Sequence, residues 1–399
     1  MKINAHTINP EFSSDSFQDN LYLHYQQYLQ ASPVFHSDEG VVYLTRYNDC
    51  IELLSNNKFR RNPPVGGCNP FSETQRAQTP LEAMISHWMI FMDPPRHDIV
   101  RKSFMQPFSA KSIKLLEPFI QHQSHQLLEG LPQKGELELL ENYAFSLPVL
   151  IIAKILGVPQ SDTGLFRTWS ALLTQALDTA SEEDIIKGAE VALLFKEYFE
   201  SLINRRHTLA ADCLINSLAN EQNLNLSNDE ILYGCVFLLW SGHETTKNLI
   251  ANGIKLLAEH PNSFAKLKQQ PDLIENAVEE MLRFESPVQK ISRWTHEDAY
   301  FGEHFVQKGT LITALIGAAN RDPSIFQLAN HFNIQRSKNR HIAFGSGIHH
   351  CLGAVLAKTE ARIAFSTLLP RLNSLAPNQH KWRTYSAFRS LETLTVTIS

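Results

Sequence analysis

The apolar positions of this chain change period several times, and the changes divide it into blocks. Leu21 to Leu29 repeats at helical spacing, whereas Val41-Val42-Tyr43-Leu44 is a short apolar run that predicts a strand. Residues 61–80 are rich in Pro, Gly, Asn and Gln and predict a long surface loop. From Leu81 to about His260 the pattern is helical, punctuated by Pro94-Pro95, Pro132, Gly157-Val158-Pro159 and the polar stretch Asn220 to Asn228. Residues 286–315 turn to short β-like segments with Gly302 and Gly309 as turn residues. A loop over 320–340 follows, and a last helix and sheet close the chain. No internal repeat is present.

One helix stands out. Ser227-Asn228-Asp229-Glu230 has the form of a capping box, and Pro261 ends the apolar pattern that follows it. A helix from Asn228 to Glu259 would span roughly 48 Å at 1.5 Å per residue, enough to cross the molecule. Its middle reads Ser241-Gly242-His243-Glu244-Thr245-Thr246. Glycine and adjacent threonines are poor choices for a helix interior. They predict a functional distortion, a widened turn that hosts water and frees a carbonyl.

Composition narrows the partners. Thirty-six basic against 41 acidic side chains give a formal charge of −5, so there is no global basic field for nucleic acid. The five cysteines (Cys50, Cys68, Cys213, Cys235, Cys351) are few, odd in number and scattered, which fits a reducing compartment. Met1 to Asp19 is polar, and Leu147 to Val158 and Ile231 to Trp240 are too short to span a bilayer. The expectation is a cytoplasmic protein without a membrane anchor.

The chemistry concentrates in Phe344-Gly345-Ser346-Gly347-Ile348-His349-His350-Cys351-Leu352-Gly353. Two glycines let the backbone curl, and a helix beginning at Cys351 would set its positive end at the sulfur and favour the thiolate. This arrangement suits one soft anionic metal ligand. A zinc site built on His349, His350 and Cys351 is the competing metal reading, although adjacent residues converge poorly on a tetrahedral ion and no CxxC partner exists. A buried structural cysteine is the third reading.

The pattern Phe-Gly-x-Gly-x-His-x-Cys-x-Gly resembles the haem-thiolate signature of the cytochrome P450 family. Ser241 to Thr246 resembles the family's oxygen-activation motif, with Ser241 where Ala or Gly is commoner. Glu280-Met281-Leu282-Arg283 resembles its ExxR pair, with Arg336 as third member, and Asn320-Arg321-Asp322-Pro323 its lead into the cysteine loop. Length alone suggests two or three domains. The resemblance implies instead one cytochrome P450 domain over 1–399, mainly α with a smaller β lobe. Its β-rich parts would lie near 35–60, 286–315 and 380–399, and its helical body at 81–285 and 352–370. It implies haem b as cofactor, with Cys351 as the metal ligand, Phe344, Gly345 and Gly353 shaping the cofactor's seat, and His97, Arg101, Arg293 and His349 facing the propionates. Glu244 would be the acid, and Thr245 the alcohol, of a proton relay.

The implied activity is monooxygenation of an apolar small molecule, using O2 and two electrons from a ferredoxin or flavodoxin with its reductase. Lys102, Lys111, Lys114, Lys338, Arg340, Lys358 and Arg362, with Arg101 and Arg336, would offer such a partner a basic face. A peroxide-driven haem enzyme and a non-catalytic haem sensor are the alternatives; the acid–threonine pair argues against the first. By resemblance, specificity would lie in 61–90, 160–205, the middle of the long helix, 288–292 and 386–390, with Phe71, Trp88, Phe166, Trp169 and Leu172 inside these segments and Phe91 just past the first. Trp240 would narrow the pocket toward slender or planar substrates, unless it serves only as packing between helices.

Overall fold

Several helices in this protein begin where a short polar side chain accepts from the first turn. Thr79, Ser109, Ser181 and Ser227 each do so. At Ser227 the box is complete: the Glu230 amide donates to the serine hydroxyl at 3.1 Å, and the Ser227 amide donates to the Glu230 carboxylate at 2.7 Å. The helix so started runs Asn228–Glu259, with the bounds the pattern predicts. The computed structural model describes residues 6–64, 79–132, 134–178, 181–220, 225–384 and 387–398. Most of the predicted 61–80 loop, with Cys68 and Phe71, lies outside the described residues.

The predicted distortion of the long helix is corrected by the structure. The backbone stays α-helical from Asn228 to Glu259. Thr245 and Thr246 turn their hydroxyls back to the carbonyls of Ser241 and Gly242, at 2.8 and 3.1 Å, and so satisfy themselves within the helix. Gly242 has a packing reason instead: a Cβ there would come within 2.9 Å of Ile152 on the neighbouring helix Ser146–Leu156.

Eleven strands are described: β1 (His6–Thr7), β2 (Val34–His36), β3 (Val42–Leu44), β4 (Phe59–Arg60), β5 (Gly135–Glu138), β6 (Lys290–Thr295), β7 (Ala299–Phe301), β8 (His304–Val306), β9 (Leu311–Leu315), β10 (Leu375–Trp382) and β11 (Leu391–Ile398). Six form one sheet in the order β1-β2-β3-β9-β6-β4, three form β10-β11-β5, and β7-β8 is a hairpin. The large sheet has its own apolar core, including Leu44, Phe59, Ile312 and Ala314. The helices share a much larger one, with the long helix running through it. The architecture is mainly α with a smaller β part, as expected. Within the large sheet, antiparallel pairing of Arg60 with Trp294 brings the chain after β4 alongside Arg293 of β6.

Candidate active site

The cysteine loop is shaped by backbone first. Gly345 and Gly347 have φ of +71° and +68°, the left-handed region open to glycine. At Gly347 a Cβ would stand 2.4 Å from the Leu54 carbonyl, so this turn rests directly on the helix Tyr47–Ser55, which packs into the core of the large sheet. The Cys351 amide closes the loop onto the Phe344 carbonyl at 2.9 Å. The helix expected to begin at Cys351 begins at Ala354 and runs to Leu368, because Gly347–His349 forms a 3-10 turn and Gly353 takes the cap position. Burial pushes the Cys351 thiol up, opposed but not overcome by the Gly353 amide and the Arg101 charge. Cys351 is nonetheless among the exposed residues, open on the side where a ligand could reach the sulfur. A cation at the sulfur would reverse that balance, since a coordinating thiol is deprotonated.

One glutamate holds this loop in place. Glu280 and Arg283 are fully buried on the helix Ile274–Phe284 and join through two bonds of 2.8 Å. Arg283 donates onward to the carbonyls of Asn320, Ala329 and His331, while Arg336, the Asn333 amide and Asn339 all reach Glu280. Arg336 is thus the third member that the sequence suggested. Asn320 then accepts from the Ile342 amide at 2.8 Å, two residues before Phe344. A loop with little regular structure is fixed by one ion-pair network.

Beside the cysteine, the predicted cofactor contacts converge. His97 and His349 stand with ring centroids 4.3 Å apart. The His349 imidazole is pushed down to about 2 by burial and by the charges of Arg293, His97, Arg61 and Arg101, which shows how closely these groups crowd it. Burial and the adjacent Arg61 also push Arg293 well below its usual value. Arg101 donates to the His350 carbonyl at 2.6 Å. Arg61 was not legible in the sequence. It follows β4, shares the Ser292 carbonyl with Arg293 and lies over the Phe91 ring; only its charge at a strand end could have drawn attention to it.

This cluster fits the two propionates of a haem. Among the described residues, no carboxylate makes an ion pair with Arg61, Arg101 or Arg293. Buried nitrogens of His97, His349 and Arg61 have no protein partner. Unpaired buried cations are costly, and a dianionic ligand would satisfy them. Cβ atoms at Gly345 and Gly353 would meet nothing closer than 3.7 Å, leaving room for a flat group beside the sulfur.

The acid and the alcohol are adjacent in sequence but are not brought together. Glu244 pairs with Lys247, one turn on, in a buried ion pair. Thr245 is engaged with the Ser241 carbonyl. Burial alone would push Glu244 up, but the charge and hydrogen bond of Lys247, with the charge of Arg383, outweigh it and hold the carboxyl below its usual range. His243 is buried and neutral, pushed down to about 4 by desolvation. Lys247 is a second residue that sequence reasoning missed; its i, i+3 spacing from Glu244 was the available signal.

Along the same helix stands an aromatic wall. Trp240 stacks on Trp88 at 5.1 Å, meets Phe388 edge-on at 6.0 Å and donates its indole N–H to Thr174 at 2.9 Å. It therefore both packs between helices and joins three of the expected specificity segments. A groove of about 540 Å3 lined by Tyr22, Tyr25, Arg46, Arg321 and Asp322 includes none of these residues and lies outside the site.

Residues 189–395 match the sequence profile of the cytochrome P450 family. A cytochrome P450 of Bacillus subtilis (strain 168) is 35% identical over 97% of this chain and 96% of its own. The biotin biosynthesis cytochrome P450 of the same organism is 35% identical over 98% and 99%. The chain belongs to the cytochrome P450 family. The crystal structure of P450BioI in complex with hexadec-9Z-enoic acid ligated acyl carrier protein superposes with a TM-score of 0.91, at 34% identity over 96% of this chain and 99% of that one. The P450 fold, the haem-thiolate cofactor class and monooxygenase activity follow from that membership. No described helix of this P450 is long and apolar enough to cross a membrane.

Proposed function

We propose that this P450 binds one haem b, with Cys351 as the metal ligand, and oxidises a slender lipophilic substrate such as a fatty-acyl chain. The observation that carries the cofactor assignment is the convergence beside the cysteine loop of Arg61, Arg101 and Arg293, none ion-paired to a described carboxylate, with His97 and His349, whose Nε2 atoms have no protein partner although His97 Nδ1 pairs with Asp98. Bound there, haem supplies oxygen activation with two electrons and two protons. The protein supplies the rest. The Glu280 network fixes the loop and hence the sulfur. Trp88, Trp240 and Phe388 narrow the pocket and exclude bulk water. Thr245 Oγ1 holds a water by releasing the Ser241 carbonyl, and the Glu244 carboxylate passes protons to it singly.

The elongated substrate is supported by the aromatic wall, and by the fatty-acyl ligand of the structurally similar P450BioI. A ferredoxin or flavodoxin with its reductase supplies electrons from the basic face, in the cytoplasm, and the whole chain works as one unit. The test is spectroscopic. Purified protein should carry one haem b with a red-shifted Soret band in its reduced carbon monoxide adduct. Long-chain fatty acids should shift the Soret band of the oxidised form where macrocycles do not. A band at the position of histidine-ligated haem would remove the thiolate assignment.

A further inference from the structure

Glu244, Asn248 and Asn252 recur every fourth residue and so share one face of the long helix. That face packs against the β10–β11 hairpin, where Asn252 donates to the Arg389 carbonyl at 3.0 Å. The next residue, Ser390, accepts from the Arg383 amide at 2.9 Å, and the Arg383 charge acts on Glu244. The three helix positions and Ser390 therefore border one seam.

The seam is polar and poorly satisfied. Asn248 and Ser390 have no exposure, and Asn252 has 1%. Both amide atoms of Asn248, the Asn252 amide oxygen and the Ser390 hydroxyl have no protein partner. Each such buried group left unbonded forfeits its hydration without compensation, and four in one place are not compatible with a dry interface. Successive positions lie about 6 Å apart along the helix, a gap that one or two hydrogen-bonded waters span. Internal waters with two to four polar partners are the usual solution. At the outer end, seven residues and about 10 Å along the helix beyond Asn252, Lys255 bonds both oxygens of Glu259 at 2.7 and 2.8 Å, and Glu259 is one-third open to solvent at 32%.

We infer that this seam is a hydrated proton channel that recharges Glu244 from the surface at Glu259, with Asn248, Asn252 and Ser390 as positioning residues. The inference rests on the relay reading of Glu244. Each hop hands one proton inward along the water file, from Glu259 or bulk water to the Glu244 carboxylate and then to the site. Two protons per turnover leave the bulk and, with the two electrons of the established reaction, reduce one atom of O2 to water.

The experiment compares wild type, Asn248→Leu, Asn248→Ser and Ser390→Ala, all haem-loaded, by high-resolution crystallography and by turnover in H2O and D2O. Wild type should show ordered waters bonded to Asn248, Asn252 and Ser390. Asn248→Leu should lose them, slow turnover about tenfold as a proton supply is interrupted, enlarge the solvent isotope effect and keep the carbon monoxide band. Asn248→Ser, which keeps room and a hydroxyl, should recover most of the rate. Ser390→Ala gives an independent reading should the leucine not fold, with a smaller loss and the same isotope signature. A dry seam in wild type would overturn the channel, as would wild-type rate and isotope effect in both Asn248→Leu and Ser390→Ala. If Glu244→Gln slows turnover while those two do not, the channel falls and the relay stands; if Glu244→Gln changes nothing, the relay falls and takes the channel with it.

Discussion

Around Glu280 a buried carboxylate meets guanidinium, amide and side-chain donors together; around Glu244 a buried carboxylate meets one lysine, and polar atoms nearby on the same helix are left without protein partners. Both sites lie in the helical core at nearly zero exposure. A completed network has one arrangement and behaves as scaffold. An incomplete one exchanges partners at small cost, which suits a place where protons must move. The two glutamates have the same chemistry in different surroundings: Glu280 is held by many donors, while Glu244, with one lysine, is left the freedom that its proposed relay role requires.

That contrast can be broken in several places. The largest effect is expected beneath it, at the sulfur. Cys351→Ala should abolish the red-shifted carbon monoxide band and activity, whereas alanine at Cys50, Cys213 or Cys235 should leave the band intact. Arg283→Met should come next, because it strands Glu280 among its remaining donors. Removing one partner of a buried pair costs about 3–5 kcal/mol, so the urea midpoint should drop steeply and haem content should fall with it. If the variant keeps both, the network is not the scaffold.

Lys247→Met tests the other side. Glu244 is held below its ordinary pKa, so it contributes stability above its unfolded value near 4.5 and loses it as pH falls through the folded one. Without Lys247 the buried carboxyl can take up a proton, so the loss at pH 7 should be about 2–3 kcal/mol, less than for a charge with no escape. The gap from wild type should close between pH 7 and pH 4 in parallel urea titrations. Thr245→Ala should leave folding and haem binding unchanged and divert several-fold more electrons to hydrogen peroxide; unchanged coupling would show that the hydroxyl only serves its helix.

The smallest effect is expected at the surface. Lys358 pairs with Glu279 at 3.0 Å, Arg362 with Glu117 at 3.1 Å, and Arg336 is spent on Glu280. Lys102, Lys111, Lys114, Lys338 and Arg340 are exposed. Lys102→Glu should therefore slow reduction by an acidic partner about two- to fivefold at low salt, more than Lys358→Glu does, since exposed charges act mainly on encounter. Equal effects would mean that the Glu279 pair opens freely.

Much of the fold was legible because its signals are local. The capping box and Pro261 mark both ends of the long helix, and the Glu280–Arg283 spacing marks the clamp. What escaped has a common physical cause: one residue type can serve two ends. Threonine and glycine in mid-helix can signal a widened turn, yet back-bonded hydroxyls and a close approach to Ile152 use the same residues without one. Arg61 is invisible because its site is made by strand pairing across more than 230 positions of sequence. The helix after Cys351 starts late because a 3-10 turn and two left-handed glycines use up the residues before it.

The reach of Arg283 has a kinetic consequence. Its three carbonyl partners lie 37, 46 and 48 residues downstream, so those contacts close long loops before they return any energy. The helix Ile274–Phe284 must be formed and its ion pair in place before Arg283 can gather these carbonyls, although Tyr47 also holds the segment through the Asp322 carboxylate and the Arg340 carbonyl. Cys351 should therefore reach its final pose late in folding, after a compact, helical species that takes up cofactor slowly. Refolding followed by helix signal and by Soret absorbance should give two different rates, the second set by the closure of that loop.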